Sequence, residues 1–490
     1  NTATYNDLFD DIHNVRVLLG QEAQKYTSDY LYSYAPDVNP DIPYVQTAPQ
    51  SGVEAEQGYS ATTLLSFFSM LDYNYDEKYY LQASLRSDGS SLFGSENRWG
   101  TFYSVGASWN IHRENFMDNL DFVNLLKLRA SYGLNGNNNI AAYRAYGVYA
   151  STQYNGTTGM RPSRPSNPNL SWEKNGTWNL GLDFTLFDKL DGNVDVYNRK
   201  TTDMLLDKNV PQTTGFSSNF LNIGSLQNRG VEVQLNYDIL NRNDWKWNVG
   251  ANIAFNKTEI LELGDNEEIA YADDSRLRHK VGESLYTFRL RDYYGVDPTN
   301  GDALYRDESG NLTNDFTQSR YIYPGSPEPK FLGGFNTNIS WKGFDLGAFF
   351  EFKGGNYVLL IERRYLESDG AQMSNNQIKT ALNYWKKPGD TGVNPKPIAG
   401  NATQSNNFGT TRFLQRGDYL RLKDVTLSYT LPSSILEKMN VSGLRVYVSA
   451  QNIYTFHDVD WWDPERGVDG IGYGIYPMTK SMIGGIELSF

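Results

Sequence analysis

Four histidines are the residues of this sequence best suited to metal binding or acid–base catalysis. They are His13, His112, His279 and His457, and they are scattered without the close spacing of a metal-binding motif. Cysteine is absent, which excludes a thiolate metal site and a disulfide framework. Aspartate and glutamate are plentiful, but no pair lies in a recognisable catalytic motif. The sequence therefore predicts a protein that is not an enzyme and that uses no metal or cofactor.

Two acidic segments invite comparison with calcium loops. Residues 297–302 and 307–311 combine aspartate, asparagine and glycine, but neither has the EF-hand spacing with a glutamate at the twelfth position. Turns explain both segments without a metal ion, because Asn, Asp and Gly favour turn conformations. We therefore interpret both segments as turns.

Aromatic residues concentrate in two stretches without a regular pattern. Tyrosine and tryptophan are enriched among the residues that dominate binding interfaces, and exposed rings beside polar groups can stack on sugars or hold peptide side chains. The alternative is that these rings pack against neighbouring loops. The predicted candidates for contact with a substrate or a partner are Tyr384, Trp385, Trp461, Trp462, Tyr473 and Tyr476.

The elements that would position these stretches are β-strands, because apolar and polar residues alternate with a period of two. In one run Val231, Val233 and Leu235 alternate with Glu232 and Gln234. Similar alternation begins near residues 79, 99, 126, 178, 245, 331, 344, 444 and 482. One face of each predicted strand is apolar, whereas the other carries amide, hydroxyl and charged groups. A short helix is expected only between residues 367 and 385.

The composition is compatible with a membrane protein built from strands. Mean hydropathy is −0.56, and no stretch approaches the roughly 18 consecutive apolar residues of a transmembrane helix. A transmembrane barrel tolerates such polarity because half of each strand faces a polar lumen. The 35 tyrosines and 10 tryptophans suit aromatic girdles at the membrane interfaces. A net charge of −13 argues against nucleic-acid binding, which needs a basic face.

The connections between predicted strands differ strongly in length. Short turns, such as 188–193, 241–244 and Lys342-Gly343, alternate with long segments at 134–171, 204–228, 356–415 and 455–480. A soluble β-sandwich or propeller also has alternating strands, but short turns on one side and long loops on the other are typical of a transmembrane barrel. We predict an all-β fold, a transmembrane antiparallel β-barrel with about 14–16 strands in this chain, its long loops outside the cell.

Two regions leave the strand count open. Between residues 257 and 330 one strand is evident, at 284–296, whereas strand parity requires none or two. A partner near 301–306 would give two strands, and otherwise the region belongs to an outer loop. The first clear strand, 60–74, requires a preceding partner, for which 14–34 is the candidate.

Several blocks of this sequence resemble the SusC/RagA-type TonB-dependent outer-membrane transporters. The late-barrel signature of that family is similar to Tyr419–Tyr429 and to Leu444–Ile453, which is followed by Asp463-Pro464-Glu465. The final strand ends in Phe490, which resembles the terminal signal by which the barrel-assembly machinery recognises outer-membrane proteins. The other matching blocks, all in the family's order, are Leu126–Gly133, Asn167–Leu170 with Trp172-Glu173, Tyr197–Leu205, Pro329–Phe335 and Lys342–Leu346.

The resemblance implies more than this chain contains. Such importers have an N-terminal accessory domain, a TonB-contacting segment, a plug and a barrel of about 22 strands. No plug is recognisable here, and the polar start of the chain does not look like a signal peptide. We therefore expect residues 1–490 to be the C-terminal part of a TonB-dependent transporter barrel, with the plug and N-terminal domains outside the chain.

The function implied by the resemblance is TonB-dependent import of an oligomeric nutrient, a glycan or an oligopeptide, across the outer membrane of a Gram-negative cell. A SusD-like surface lipoprotein would cap the extracellular mouth, and TonB–ExbB–ExbD would act through the plug. Two transporter–lipoprotein pairs would associate as a dimer. The alternative, from a different class, is a passive outer-membrane porin formed by this chain alone.

Overall fold

Strands dominate the computed structural model, which describes residues 1–271, 274–372, 374–401, 403–407, 409–436, 441–472, 474 and 476–490. No helix among these residues is both long and apolar enough to cross a bilayer. The α-helices of the described residues are α1 (Glu362–Glu367) and α2 (Ser433–Leu436). Short 3-10 helices occur at Val45–Thr47, Gln50–Gly52, Ile111–Arg113, Asn115–Met117, Gln212–Thr214, Phe316–Gln318, Lys379–Leu382 and Thr411–Phe413.

The strands, in chain order, have the following bounds. The first fourteen are β1 (Thr2–Phe9), β2 (His13–Tyr34), β3 (Glu54–Tyr75), β4 (Tyr79–Ser90), β5 (Trp99–Asn110), β6 (Val123–Asn137), β7 (Val148–Tyr154), β8 (Thr157–Arg164), β9 (Glu173–Leu186), β10 (Leu190–Thr202), β11 (Leu205–Asn209), β12 (Ser218–Asn222), β13 (Ser225–Arg242) and β14 (Trp245–Glu262). The others are β15 (Glu268–Ala270), β16 (Leu277–Lys280), β17 (Thr287–Phe288), β18 (Leu290–Arg291), β19 (Tyr293–Val296), β20 (Ala303–Arg306), β21 (Leu312–Thr313), β22 (Tyr321–Ile322), β23 (Phe331–Trp341), β24 (Phe344–Gly354), β25 (Tyr357–Leu359), β26 (Leu414–Arg416), β27 (Tyr419–Thr430), β28 (Gly443–His457) and β29 (Ser481–Ser489).

The main sheet contains fifteen strands, in the order β1-β2-β3-β4-β5-β6-β9-β10-β13-β14-β23-β24-β27-β28-β29. This number lies within the predicted range, and the all-β class is confirmed. The predicted partner of the strand at 60–74 is also confirmed, because β2 pairs antiparallel with β3 along its whole length. Strand β1, which pairs with β2, was not predicted. Its alternation is weak because the adjacent pairs Asn6-Asp7 and Leu8-Phe9 interrupt it.

The chain divides into two compact units. Unit 1 comprises Asn1–Asn110, Arg129–Asn179 and Arg199–Ser225, and unit 2 comprises Ile111–Leu128, Leu180–Asn198 and Leu226–Phe490. Within unit 1, strands β1 to β5 pair in sequence order. Within unit 2, strands β14, β23, β24, β27, β28 and β29 do the same.

The shortest of the predicted turns, Lys342-Gly343, has the backbone geometry of a β-hairpin turn. Strands β23 and β24 are joined by Lys342 and Gly343, whose φ angles are 47° and 89°. Two consecutive positive φ angles define the type I′ turn, whose twist suits a β-hairpin. A Cβ at Gly343 would approach the carbonyl oxygen of Thr430 to 2.5 Å, so this position also requires glycine for space.

Apolar side chains cover one face of the main-sheet strands, as the alternation predicts. On β13, Val231, Leu235 and Tyr237 are exposed, and on β28 the same holds for Val446 and Val448. Exposed apolar side chains at alternate positions are typical of the lipid-facing surface of a transmembrane barrel.

Strand β27 contains a β-bulge at Lys423. The register with β24 passes from Leu422 to Asp424 without a partner for Lys423, and the register with β28 shifts at the same place. Before the bulge Tyr419 and Arg421 are buried, whereas after it the odd-numbered Leu427 is 51% exposed. The extra residue therefore shifts the alternation by one position, so odd-numbered side chains lie on the buried face before the bulge and on the exposed face after it.

The described residues between β14 and β23 add no strand to the main sheet. The predicted partner near 301–306 exists, because β19 pairs with β20, but both belong to a small separate sheet together with β21. The window between residues 367 and 385, where a short helix is expected, contains the 3-10 helix Lys379–Leu382, whereas the α-helix lies earlier, at Glu362–Glu367. It ends there because Ser368, Asp369 and Gly370 all adopt positive φ angles, which no right-handed helix can contain.

Each unit has its own loop cluster. The loop cluster of unit 1 consists of residues 91–98, 138–172 and 203–224, which connect main-sheet strands. Trp172 stands at its centre, with ring centroids of Phe93 and Phe102 at 4.9 and 5.2 Å. Its indole N–H donates to the carbonyl oxygen of Arg98 at 3.0 Å. The other buried members of this core are Ala145 and Leu170.

Candidate functional site

The loop cluster of unit 2 contains all five of the aromatic candidates that the structure describes. It consists of residues 263–330, 355–418 and 458–480, which connect main-sheet strands. All three segments contribute to shared apolar cores, so they fold on one another rather than separately. The larger core contains Leu277, Phe288, Leu290, Leu359 and Phe413, with Ile471 beside them, and the smaller contains Val358, Leu360 and Val459.

Leu359 joins the three segments through its backbone as well as its side chain. It ends β25, which pairs with β26, and its N–H donates to the carbonyl oxygen of Gly470 at 2.9 Å. Gly470 has a φ of 64°, and a Cβ there would lie 2.4 Å from the Cβ of Pro327. The close approach of three backbone segments therefore depends on this glycine.

A buried ion-pair network fixes helix α1 to the segment that precedes β26. Arg412 pairs with Asp369, with one N–O distance of 3.0 Å, and approaches Glu367 at 3.8 Å. Glu367 also pairs with Arg363 at 3.0 Å. Burial lowers the pKa of Arg412, but Asp369, Tyr293 and Glu367 together outweigh burial and hold that pKa above its ordinary value. Each member of the network therefore depends on its partners.

Two of the sequence blocks that resemble the transporter family meet at Arg421. Its guanidinium is fully buried and contacts Asp463 and Glu465, each at 2.6 Å. Its Nε also donates to the hydroxyl of Thr455 at 3.0 Å. The Asp463-Pro464-Glu465 motif therefore anchors the third loop segment to strand β27.

The candidates Trp461, Trp462 and Tyr476 lie in this third segment. Trp461 is 46% exposed and lies 5.7 Å from the ring of Trp462, with the guanidinium of Arg363 5.4 Å from its centroid. Trp462 is partly buried against the smaller core, whereas Tyr476 is 81% exposed. Trp462 and Tyr476 line one cavity of about 310 Å³, beside the buried Arg466. Tyr473 lies outside the described residues.

Tyr384 and Trp385 are located in the second segment, apart from that cavity. Trp385 packs on Gly301, and its indole N–H donates to the carbonyl oxygen of Pro298 at 3.1 Å. Tyr384 is partly buried and lies 5.3 Å from the ammonium group of Lys386. These contacts give Trp385 a packing role at the turn formed by residues 297–302.

The two acidic segments form turns. The Asp297 carboxylate accepts hydrogen bonds from the backbone N–H and the hydroxyl of Thr299, which hold its pKa below the ordinary value. Asp307 likewise accepts from the backbone N–H groups of Ser309 and Asn311. Within the described residues, no group of three or more His, Cys, Asp or Glu side chains is arranged to hold a metal ion.

Four arginines in the first loop segment were not among the predicted site residues. Arg276 and Arg278 flank Leu277, and Arg289 and Arg291 flank Leu290, so the motif Arg-Leu-Arg occurs twice. All four line one cavity of about 350 Å³. The repeated motif was the signal that could have identified them.

The fold and these sequence blocks define the class of the protein. The chain belongs to the family described as TonB dependent receptor-like, beta-barrel, whose model matches residues 1–453. Members of this family are receptors and transporters of the outer membrane, and the chain is accordingly an outer-membrane β-barrel protein.

The individual proteins that this chain resembles are TonB-dependent receptors, including SusC, and the RagAB peptide transporter. TonB-dependent receptor P26 of Formosa agariphila is 31% identical over the whole chain, which covers 53% of that protein. TonB-dependent receptor SusC of Bacteroides thetaiotaomicron is 30% identical over 91% of the chain and 46% of its own length. A solved structure of the RagAB peptide transporter matches the whole chain with a TM-score of 0.88 and 31% identity, over 55% of its chain. The chain thus spans about half the length of these relatives.

Proposed function

We propose that this chain is part of a TonB-dependent importer that carries an oligomeric nutrient, a glycan or an oligopeptide, across the outer membrane. A SusD-like surface lipoprotein would cap its outer side, and TonB–ExbB–ExbD would supply energy through a plug. The single observation that supports this proposal best is the similarity to the RagAB peptide transporter along the whole chain. Association of two transporter–lipoprotein pairs belongs to the same proposal.

The first experiment distinguishes energised import from passive diffusion. The encoding gene is deleted, and growth on defined oligopeptides and oligosaccharides is compared with growth of a strain that lacks TonB. Import of this kind predicts that both strains lose growth on the same oligomers and keep growth on the monomers. Growth that depends on this gene but not on TonB would instead support a porin.

Within this function, the aromatic residues of the third loop segment are proposed to meet the lid protein and its cargo. Trp461 is half exposed and is positioned by Trp462 and Arg363. Arg363 itself belongs to the buried ion-pair network through Glu367. Because these contacts fix the ring before binding, little side-chain entropy remains to be lost on association. Tyr476, Tyr384 and Trp385 are weaker candidates for the same surface.

The second experiment replaces Trp461 and Trp462 together with alanine. We expect co-purification of the lipoprotein or uptake of the oligomer to fall severalfold, while the barrel still assembles. Trp341→Ala is the matched control, because Trp341 is exposed to a similar degree, 42%, but lies at the end of strand β23 and outside the third loop segment. Unchanged association and uptake in the double variant would assign these rings to loop packing alone.

A further inference from the structure

The repeated Arg-Leu-Arg motif of unit 2 builds a basic cavity on short strands. Leu277 begins β16 and Leu290 begins β18, and both leucines are fully buried in the larger core. Because side chains alternate along a strand, the flanking arginines point away from that core. Arg276, Arg278, Arg289 and Arg291 thereby line a cavity of about 350 Å³, completed by residues that include Tyr321 and Asn407.

Arg291 is the cavity guanidinium without a carboxylate partner within the described residues. Asp274 pairs with Arg276 through two hydrogen bonds. Arg278 and Arg289 share one carboxylate, that of Glu268, at 3.6 and 3.8 Å. A cleft lined by guanidinium groups concentrates anions.

Arg291 has unused hydrogen-bonding capacity. It donates through Nη1 to the carbonyl oxygen of Ser319. Its buried Nε has no hydrogen-bond partner among the described residues, and no carboxylate of those residues lies within 4 Å. A buried N–H without an acceptor is costly, so an oxyanion in the cavity would be stabilised there.

Tyr321 holds two of the guanidinium groups in place. The centroid of its ring lies 3.7 Å from Arg289 and 3.9 Å from Arg291. Stacking on an aromatic ring fixes the plane of a guanidinium and leaves its N–H groups free to bind a planar anion through two bonds. A carboxylate has the matching geometry.

We propose that this cavity binds a carboxylate group of an acidic oligopeptide cargo. The proposal rests on the proposed import function and adds a preference for cargo with acidic residues. A cavity of about 350 Å³ is at the small end of ligand pockets, so it accommodates one acidic side chain rather than a whole oligomer. A peptide is favoured over an acidic glycan because the similar RagAB structure is described as a peptide transporter.

The test measures direct binding of a fluorescent peptide with two glutamates to the full-length protein purified in detergent. The comparison peptide has glutamine at both positions and should bind about tenfold more weakly or worse. Arg289→Gln with Arg291→Gln should weaken the acidic peptide to the same extent and leave the glutamine peptide unchanged. Arg289→Lys with Arg291→Lys keeps the charge without the planar fork and should give an intermediate loss.

The matched control is Arg229→Gln with Lys257→Gln. These residues pair with the Glu259 carboxylate, are more than half exposed and lie outside the cavity, so acidic-peptide affinity should change by less than about twofold. Equal binding of both peptides to the wild-type protein would overturn the proposal. Arginine-dependent binding of an acidic oligosaccharide, with no binding of the acidic peptide, would overturn the choice of cargo.

The binding measurement tests the cavity separately from the proposed import function, because peptide binding requires neither TonB nor the lid protein. If the wild-type protein showed no preference for the acidic peptide but still imported neutral peptides in a TonB-dependent manner, only the cavity proposal would be rejected. Arginine-dependent binding without TonB-dependent uptake would reject the import function alone.

Discussion

The loop clusters of the two units are stabilised by different chemistry. In unit 1 the ring of Trp172 packs against Phe93 and Phe102, and neutral hydrogen bonds join the segments, such as the pair between Asn222 and the backbone of Ser171. In unit 2 apolar cores are supplemented by buried ion pairs at Arg412 and Arg421. Apolar packing tolerates small adjustments, whereas a charged pair requires its partners in a defined geometry. We infer that the loops of unit 2 are restricted more narrowly to one arrangement.

The largest effect is expected for deletion of Phe490, which should affect the loop clusters of both units equally. Deleting Phe490, which is 96% exposed after the last strand, should lower the amount of protein in the outer membrane severalfold, because the proposed assembly signal is lost. Both clusters would then disappear together. Quantitative immunoblotting of outer-membrane fractions measures the effect, and a wild-type amount would reject the role of Phe490.

Arg412→Ala should break the loop cluster of unit 2 specifically. Removing Arg412 leaves the buried carboxylate of Asp369 without its ion-pair partner, at a cost of about 3–5 kcal/mol, whereas Glu367 keeps its pair with Arg363. Hydrogen exchange measured by mass spectrometry should show lost protection in residues 363–369 and 405–412, with the main sheet unchanged. Arg412→Lys retains a charge and should lose less protection. Wild-type exchange in the alanine variant would mean that the network contributes little.

Trp172→Ala should produce the corresponding opening in unit 1. Replacing a buried tryptophan with alanine costs about 3–5 kcal/mol, and no charged group is left behind to add to that cost. Exchange should increase around residues 91–98 and 167–172 and remain unchanged in unit 2. Trp172→Phe retains most of the packing and loses the bond to Arg98, so its effect should be smaller. A larger effect on unit 2 than on unit 1 would contradict the comparison.

The smallest effect is expected for an exposed ion pair. Lys174 and Asp203 of unit 1 approach to 3.0 Å, but their side chains are 49% and 42% exposed. Lys174→Ala should therefore cost less than about 1 kcal/mol. An exchange effect comparable to that of Arg412→Ala would show that burial does not explain the difference between the two kinds of ion pair.

Sequence alone predicted the main sheet well because alternation is local. The run from Val231 to Leu235 identified β13, and short turns such as Lys342-Gly343 identified hairpins. The network around Arg412 could not be predicted, because Arg412 and Asp369 are 43 residues apart in a segment without periodicity. The same holds for the basic cavity, where the Arg-Leu-Arg motif was visible but the burial of its leucines was not. The roles assigned to Trp461, Trp462 and Phe490 stay predictions.

The bulge at Lys423 determines how strand β27 tolerates changes in length. Side chains upstream of it, including the buried Arg421, and those downstream, including the exposed Leu427, use opposite alternation. Deleting the extra residue, Lys423, would restore regular alternation and leave Arg421 and Leu427 on their present faces. Deleting a second residue as well would turn one of the two sets around, either bringing Arg421 toward the apolar face or taking Leu427 away from it. Natural variation in length within this strand should therefore be limited to the presence or absence of the bulge residue, and other changes should accumulate in the adjoining loops.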